Sequence, residues 1–170
     1  MLKKFIDQLK EFSKQDFPAE ETTAFFKQQG SFLDDLTPYL FFKNEFYTRN
    51  LIYYSPEFEL VVLCWMPGHK APAHGHEGEK CWFKVELGSV NIINYDEKDN
   101  QLIKLNETQA DQGYVDGPAY IHAVENLNQD PAISLHLYAR PIPECDVYID
   151  NEKHRKQVGY YSKYGKIIKE

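Results

Sequence analysis

The sequence has few cysteines and no long apolar run, and each shortage excludes a class of protein. Its three cysteines are an odd number without regular spacing, which indicates reduced thiols and no disulfide framework. No apolar stretch reaches the length of a membrane span, and the first residues, MLKKFIDQLKEF, mix charges into their apolar positions, unlike a signal peptide. We therefore expect a cytoplasmic protein that does not insert into membranes.

The sequence also has fewer basic than acidic residues. The 19 lysines and arginines are outnumbered by 26 acidic residues, so the net charge is −7 and the isoelectric point is about 5.4. Nucleic acids and anionic membrane surfaces select basic patches, and we expect neither as a partner. The 170 residues are 42% apolar and 15% aromatic, which suits one substantial core. We expect a monomer with a single domain over residues 1–170.

Helical patterns occupy residues 1–40, and strand patterns occupy residues 41–170. Apolar residues at spacings of three and four predict an amphipathic helix over residues 2–14, and further helices are predicted over 19–29 and 31–39. Short β-rich runs separated by Gly, Pro, Asn and Asp are typical of an antiparallel sandwich or barrel. The predicted strands are residues 46–54, 58–66, 81–87, 89–95, 102–107, 119–124, 132–139, 146–149 and 158–162, with a polar turn at 96–100. We predict an all-β antiparallel barrel with helices packed outside and a binding cavity in its interior.

Two histidines one residue apart form the first candidate site. In an extended segment His74 and His76 lie on the same side, so both imidazoles can approach one metal ion. Neutral nitrogen donors suit Zn, Fe, Cu or Ni better than Ca or Mg. Two ligands do not make a site by themselves, so this interpretation requires a third ligand elsewhere. The alternative is a solvated loop without a metal.

His122 is the candidate for that third ligand. The histidines outside the pair are His69, His122, His136 and His154. His122 sits in GPAYIHAVEN, where Gly117 and Pro118 predict a turn before a strand that carries the histidine inward. The alternative is a core histidine held by hydrogen bonds.

The segment SLHLY alternates polar and apolar residues. Ser134, His136 and Tyr138 fall on one strand face, while Leu135 and Leu137 fall on the other. A polar lumen and an apolar outer layer would produce this pattern, and we interpret the polar residues as a hydrogen-bonded row with Tyr138 nearest the reaction centre. A nucleophilic triad is not indicated, since no acid is placed to orient His136. A purely structural row is the alternative.

Arg49 lies in a predicted strand in which Leu51 and Tyr53 alternate inward. A buried guanidinium needs an anion, and its planar fork suits a carboxylate. We therefore predict that Arg49 binds a substrate carboxylate, with a surface arginine on the far face of an edge strand as the alternative. Cys64 and Cys145 lie in apolar or strand-like runs and are interpreted as core thiols.

The stretch PGHKAPAHGHEGEKCWFKVELG resembles the first cupin motif. Gly68, His74, His76 and Gly88 stand in its register, while the slot in which many cupins carry a glutamate ligand holds Cys81. A cysteine in that slot is typical of the cysteine dioxygenase family. The other stretches that resemble this family, in the same order along the chain, are YTRNLI, LCWMPGH, HAVEN and SLHLY.

The resemblance implies a cupin fold and an Fe(II) thiol dioxygenase whose iron is bound by His74, His76 and His122. The substrates would be L-cysteine and dioxygen, and the product would be cysteine sulfinic acid. GPAYIHAVEN resembles the second cupin motif, which ends in an asparagine, here Asn126, and supports His122 as the third ligand.

The resemblance also assigns the residues around the iron. It implies a thioether bond between Cys81 and Tyr138, and it places Ser134 and His136 behind that tyrosine. Arg49 would bind the substrate carboxylate with Tyr47 beside it.

Three other functions stay open at this point. Relatives that prefer 3-mercaptopropionate tend to carry a glutamine in place of Arg49, so the arginine favours L-cysteine. A non-catalytic cupin module would use the histidines for a structural zinc ion and Arg49 for a small anion. A zinc-dependent sugar-phosphate isomerase would need a carboxylate where Cys81 stands. Arg140, two residues after Tyr138, is expected near the cavity mouth.

Overall fold

The described part of the chain begins with short helices. The structure is a computed structural model that describes residues 1–168. Helices α1 (Leu2–Ser13), α2 (Ala19–Gln28) and α3 (Leu33–Leu36) are followed by a 3-10 turn at Thr37–Tyr39. Leu2, Phe5 and Leu9 are the buried residues of α1, at the spacing that predicted this helix. Within residues 1–168, none of the helices is long and apolar enough to cross a membrane.

Strands dominate the rest of the described chain. They are β1 (Thr48–Tyr54), β2 (Glu59–Trp65), β3 (Lys70–Gly75), β4 (Lys80–Leu87), β5 (Ser89–Lys98), β6 (Gln101–Asp111), β7 (Val115–Ala119), β8 (Ile121–Glu125), β9 (Ala132–Ala139), β10 (Glu144–Ile149), β11 (Glu152–Gln157), β12 (Ser162–Lys163) and β13 (Lys166–Ile167). One sheet has the order β13-β12-β1-β2-β9-β4-β7, and the other has the order β11-β10-β3-β8-β5-β6. The neighbours are antiparallel except for the short pair of β1 with β12.

Apolar side chains form two layers, one on each face of the seven-stranded sheet. The interior layer lies between the sheets and includes Val61 and Phe83 from one sheet with Ile92 and Val124 from the other. The outer layer joins the same sheet to the helices, and its members include Phe5, Leu9, Phe26, Leu135 and Leu137. The prediction of an antiparallel β fold with helices packed outside is therefore confirmed.

Strand β9 separates the two layers because its side chains alternate. Its leucines, Leu135 and Leu137, belong to the layer under the helices. Tyr138 belongs to the interior layer, and Ser134 and His136 are buried on the same face. The polar face of this strand therefore points into the space between the sheets, as the alternation in SLHLY predicted.

The segment that carries the histidine pair is a strand of its own. Strand β3 was not among the predicted strands, because KAPAHG contains no β-branched or large aromatic residue. It nevertheless pairs with β8 on one side and with β10 on the other. Pairing with these two strands stabilises β3 although its own sequence has low strand propensity.

Gly117 and Pro118 lie within β7, so the prediction of a turn at this pair is wrong. A Cβ atom added to Gly117 would lie 2.6 Å from the Cys81 carbonyl oxygen, and φ at Gly117 is +123°. Only glycine fits this close approach of β7 to β4. The break before β8 falls at Tyr120 instead.

The predicted strand over residues 158–162 is also wrong. Only Ser162 of that range belongs to a strand, β12, and the strand before it is the fully exposed, polar β11. Asp150 and Asn151 adopt positive φ angles of 51° and 63° and turn the chain back, so that β11 pairs with β10. A polar edge strand of this kind shows no hydrophobic alternation in the sequence.

Two smaller differences come from turn and bulge geometry. The predicted turn over residues 96–100 is shorter than expected, because β5 runs to Lys98 and only Asp99 and Asn100 adopt positive φ. A register shift between Leu51 and Tyr53 turns Tyr53 toward the helices, so the predicted inward position holds for Leu51 and not for Tyr53.

A buried ion pair connects the helical segment to the sheet. Lys84 Nζ lies 3.1 Å from Glu86 Oε1, and the two side chains are 4% and 1% exposed. Glu86 Oε2 also accepts a hydrogen bond from the Phe32 backbone N–H at 2.9 Å. Lys84 donates to the Gly30 carbonyl.

We expect Glu86→Ala to lower the free energy of unfolding by about 3–5 kcal/mol, because the Lys84 ammonium would stay buried without its partner. Denaturant unfolding measures this loss. The control is Glu11→Ala, which removes an exposed pair with Lys14 at 2.8 Å and should change stability little. Equal, small effects of both substitutions would contradict the assigned role of the buried pair.

Candidate metal centre

Three histidines converge from two neighbouring strands. His74 lies in β3, His76 follows directly after it, and His122 in β8 is the cross-strand partner of His74. The ring centroids are 5.0 Å apart for His74 and His76, 4.8 Å for His74 and His122, and 4.7 Å for His76 and His122. One ring nitrogen from each residue lies within 4.8 Å of the others. The three imidazoles are therefore close enough to share one metal ion.

Backbone carbonyls orient two of these rings. His74 Nδ1 lies 2.9 Å from the Pro72 carbonyl oxygen, and His76 Nδ1 lies 2.8 Å from that of Tyr120. Because a carbonyl only accepts, each Nδ1 carries the proton and each Nε2 keeps its lone pair. His76 Nε2 and His122 Nδ1 are buried without a hydrogen-bond partner among the described residues. A metal that prefers nitrogen donors fits this set and would supply the partner that His76 Nε2 lacks.

Burial keeps all three imidazoles uncharged. Removal from water lowers the pKa of His74 to about 4. The same effect, with repulsion from His74, lowers the pKa of His76 to about 3. The pKa of His122 lies well below its usual value for the same reasons. Neutral imidazole is the form that binds metal ions, so the cluster does not have to lose protons at neutral pH.

Ser134, His136 and Tyr138 form a row of polar contacts on the interior face of β9. Ser134 Oγ lies 2.7 Å from His136 Nε2, and His136 Nδ1 lies 3.5 Å from the Tyr138 hydroxyl. Trp65 Nε1 donates to Ser134 Oγ at 2.9 Å. The Tyr138 ring lies 5.8 Å from the His76 ring, so the row reaches the histidine cluster.

Cys81 lies beside the tyrosine of this row. It stands in β4 as the cross-strand partner of Tyr138, and directly opposite residues in an antiparallel pair have Cβ atoms about 5 Å apart. The thiol is fully buried and is not part of a disulfide. Burial raises the pKa of the Cys81 thiol and of the Tyr138 hydroxyl, so both groups stay protonated.

Arg49 points into the interior and not to the far face of an edge strand. Its Nη1 donates to the Tyr138 hydroxyl at 2.9 Å, and its Nε donates to the Gly159 carbonyl at 3.1 Å. Burial acts to lower the pKa of Arg49, but Tyr138 and Glu59 raise it above its usual value. The guanidinium is therefore a fixed positive charge, and the alternative of a surface arginine does not hold.

Two further members of this group, Glu59 and Tyr160, were not among the residues predicted from the sequence. Glu59 is fully buried, and its Oε1 lies 3.7 Å from Arg49 Nη2. The Tyr160 hydroxyl donates a hydrogen bond to Glu59 Oε2. The available signal was an acidic residue at the start of the otherwise apolar strand ELVVLCW.

A cavity of about 320 Å³ connects the arginine to the histidine cluster. Tyr47, Arg49, His74 and Tyr138 line it, and Tyr47 stacks on Trp65 with ring centroids 4.5 Å apart. The segment after β11 also contributes to the lining, through Val158, Gly159, Tyr160 and Tyr161.

Two further predictions can be compared with the cavity. Cys64 and Cys145 are both buried, as expected of core thiols, but Cys145 also lines the cavity. Arg140 is exposed and is not among the residues that line the cavity, and its position near the mouth stays a prediction.

Comparison with known proteins identifies one family over most of the chain. A family model described as cysteine dioxygenase type I matches residues 2–151. Cysteine dioxygenase type 1 from Bos taurus is 31% identical over 166 residues, and the match covers 91% of this chain and 82% of that protein. The proteins of the same name from Homo sapiens and Rattus norvegicus are 29% and 30% identical over 164 residues, with the same coverage.

A solved structure gives independent support for the fold. A protein with a double-stranded β-helix domain from Klebsiella pneumoniae matches with a TM-score of 0.52 at 15% sequence identity, covering 72% of this chain and 87% of that chain. At this identity the likeness concerns the fold alone. The predicted cupin-type fold is confirmed.

We expect the metal-free protein to bind one Co(II) ion per chain, because Co(II) accepts the same imidazole donors and is visible by absorption. His76→Ala should abolish stoichiometric binding, since two imidazoles do not hold the ion. His154→Ala is the matched control, because His154 is exposed and lies outside the cluster. Retention of one Co(II) ion per chain in His76→Ala would contradict the shared site.

Proposed function

Because this chain belongs to the cysteine dioxygenase type I family, we propose that it oxidises L-cysteine with dioxygen to cysteine sulfinic acid at a non-heme iron. Family membership already makes it a thiol dioxygenase with a cupin fold and a group of three histidines suited to a metal. The choice of iron, the preferred thiol and the role of each site residue are parts of the proposal.

The observation that carries the proposal is that Arg49 and His74 line the same cavity. L-Cysteine has a thiol, an amine and a carboxylate within a few bonds. A carboxylate bound by Arg49 would leave the thiol and the amine directed toward the metal centre. The interior surroundings strengthen this ion pair, because a low local dielectric weakens screening.

Iron would be held by His74, His76 and His122, whose neutral nitrogens suit Fe(II). When bound, the ion supplies open coordination positions, favours loss of the thiol proton and activates dioxygen for transfer of both oxygen atoms to sulfur. The protein contributes by positioning the reactants, because it would hold the substrate sulfur and dioxygen next to each other.

The hydrogen bonds of the polar row orient the Tyr138 hydroxyl proton toward the substrate. Trp65 Nε1 can only donate a hydrogen bond, so Ser134 Oγ accepts from it. The Ser134 hydroxyl then donates its own hydrogen to His136 Nε2. His136 is neutral, because burial lowers its pKa well below the usual value, so its Nδ1 carries the remaining proton and faces the Tyr138 oxygen. Arg49 donates to the same oxygen. The Tyr138 proton is left to hydrogen-bond the substrate or the oxygen transferred to it.

Cys81 and Tyr138 are proposed to form a thioether. The bond would join Cys81 Sγ to a ring carbon of Tyr138, with loss of the thiol hydrogen and one ring hydrogen. Dioxygen would be the oxidant that takes up the two electrons and two protons. The cross-strand pairing of the two residues supports this assignment.

We expect iron-loaded protein to consume oxygen with L-cysteine faster than with 3-mercaptopropionate or cysteamine, and to form the sulfinic acid. Arg49→Ala should raise KM for L-cysteine roughly 10- to 100-fold, because a charge-assisted hydrogen bond to the substrate carboxylate is lost. Oxygen-electrode kinetics with measured iron content test both statements.

Cysteamine is the internal control for this experiment, because it lacks a carboxylate and its KM should respond little to Arg49→Ala. An unchanged KM for L-cysteine would remove Arg49 from substrate binding. Iron-loaded protein that oxidises none of the three thiols would refute the proposed reaction and favour a non-catalytic metal-binding module.

We expect the purified protein to run as two bands in denaturing, reducing electrophoresis, one cross-linked and one not, because a thioether compacts the unfolded chain and resists reduction. Cys81→Ser and Tyr138→Phe should each give one band. Cys145→Ser is the matched control and should keep both bands. A second band that persists in Cys81→Ser would contradict the assigned bond.

A further inference from the structure

Glu59 is a buried acid without a place in the reaction described above. It begins β2 as the cross-strand partner of Tyr138 in β9, and it is 0% exposed. The other cross-strand neighbour of Tyr138 is Cys81 in β4. A carboxylate in the interior row of strands is costly unless it meets a positive charge, so its contacts define its role.

Each carboxylate oxygen of Glu59 faces a different group. Oε2 accepts a hydrogen bond from the Tyr160 hydroxyl. Oε1 lies 3.7 Å from Arg49 Nη2, which is too far for a hydrogen bond and close enough for an ion pair. Both Oε1 and Nη2 are buried, and neither has a hydrogen-bond partner among the described residues. One carboxylate oxygen is thus hydrogen-bonded to Tyr160, and the other lies beyond hydrogen-bond distance of the guanidinium.

The nitrogen donors of Arg49 have different partners. Its Nε is used by the Gly159 carbonyl, and its Nη1 is used by the Tyr138 hydroxyl. Nη2 remains free to bind an incoming carboxylate. A substrate carboxylate and Glu59 would then interact with the same positive charge.

Burial raises the pKa of the Glu59 carboxyl above its usual value, even though the Arg49 charge, the Tyr160 hydroxyl and the Ile142 backbone amide act to lower it. The largest stabilising influence on the ionised form is the charge of Arg49.

We propose that Glu59 is a positioning residue that compensates the charge of Arg49 before substrate binds and thereby sets how tightly Arg49 binds a substrate carboxylate. This inference rests on the proposed function, because it assumes that the substrate carboxylate pairs with Arg49. It adds a determinant of thiol choice: Glu59 weakens binding of carboxylate thiols, and Tyr160 limits that effect by holding Glu59 back.

Replacement of Glu59 by its neutral isostere tests the inference. In E59Q the substrate carboxylate becomes the only negative charge next to Arg49, so KM for L-cysteine should fall roughly tenfold. The value of kcat should stay near that of the parent, because the interaction is equally strong in the ground state and the transition state. KM for cysteamine, which has no carboxylate, should not change. A KM for L-cysteine that is unchanged or higher in E59Q would overturn the inference.

Tyr160→Phe should shift KM in the opposite direction. Without the tyrosine hydroxyl, Glu59 is free to close on Arg49 and compete with the substrate, so KM for L-cysteine should rise while KM for cysteamine stays constant. A fall in KM for L-cysteine in Tyr160→Phe would contradict the restraining role of Tyr160. The two variants together separate charge competition from a general loss of packing, which would raise KM in both.

A matched control is available on the other side of the sheet. Glu86 is an equally buried acid in an ion pair with Lys84, under the helices and away from the cavity. E86Q should lower stability without changing KM for either thiol. If E86Q shifts KM as E59Q does, the effect reflects stability and the inference fails.

A stability measurement, which needs no catalytic activity, tests the role of Glu59 independently of the proposed reaction. Unfolding of the metal-free protein is measured for R49Q, E59Q and the double variant. If Glu59 compensates Arg49, each single substitution leaves a buried unpaired charge, and the double variant should be more stable than the sum of the single losses predicts. Additive losses would overturn the inference even if the enzyme oxidises cysteine. Coupled losses in a protein that oxidises no thiol would refute the reaction alone.

Discussion

The polar interior of this protein depends on one buried positive charge. The Arg49 guanidinium lies between the sheets, where it is largely removed from water, and its neighbours pair with its charge or accept its hydrogen bonds. Tyr138 and Gly159 accept its hydrogen bonds, and Glu59 faces its remaining nitrogen. The arginine in turn holds the tyrosine hydroxyl and stabilises the ionised acid. Without that charge, a buried carboxylate in the same space would be unfavourable.

The two sheets contribute different halves of the site. The seven-stranded sheet supplies the charge and the polar row, because Glu59, Tyr138 and Cys81 stand abreast on β2, β9 and β4. The six-stranded sheet supplies the histidines of β3 and β8, and His76 follows the end of β3. Packing of one sheet on the other brings the imidazoles and the tyrosine within contact distance. The candidate site therefore lies at the interface between the sheets, and the interior apolar layer that joins them also positions its residues.

The helices act on the opposite face of the same sheet. Leu135 and Leu137 of β9 pack under α1 and α2, while Ser134, His136 and Tyr138 of that strand face the site. One strand thus connects the outer layer to the candidate site, because its side chains alternate between the two faces of the sheet. The buried pair of Lys84 and Glu86 adds a polar connection to the same layer, between β4 and the segment before α3.

The sequence by itself determined the β-rich class, the outer helices and the family, because periodicity and residue order along short segments carry those properties. It also named His74, His76, His122, Arg49 and Tyr138 as candidates, and the structure brings them together. Only the tertiary structure decided that KAPAHG is a strand, that Gly117 lies inside β7, and that residues 158–161 line the cavity, since each depends on pairing with distant strands. Glu59 is the clearest case. Nothing in its local sequence indicates a partner, and its role arises because Arg49 and Tyr160, ten and 101 positions away, meet its two oxygens in the folded chain.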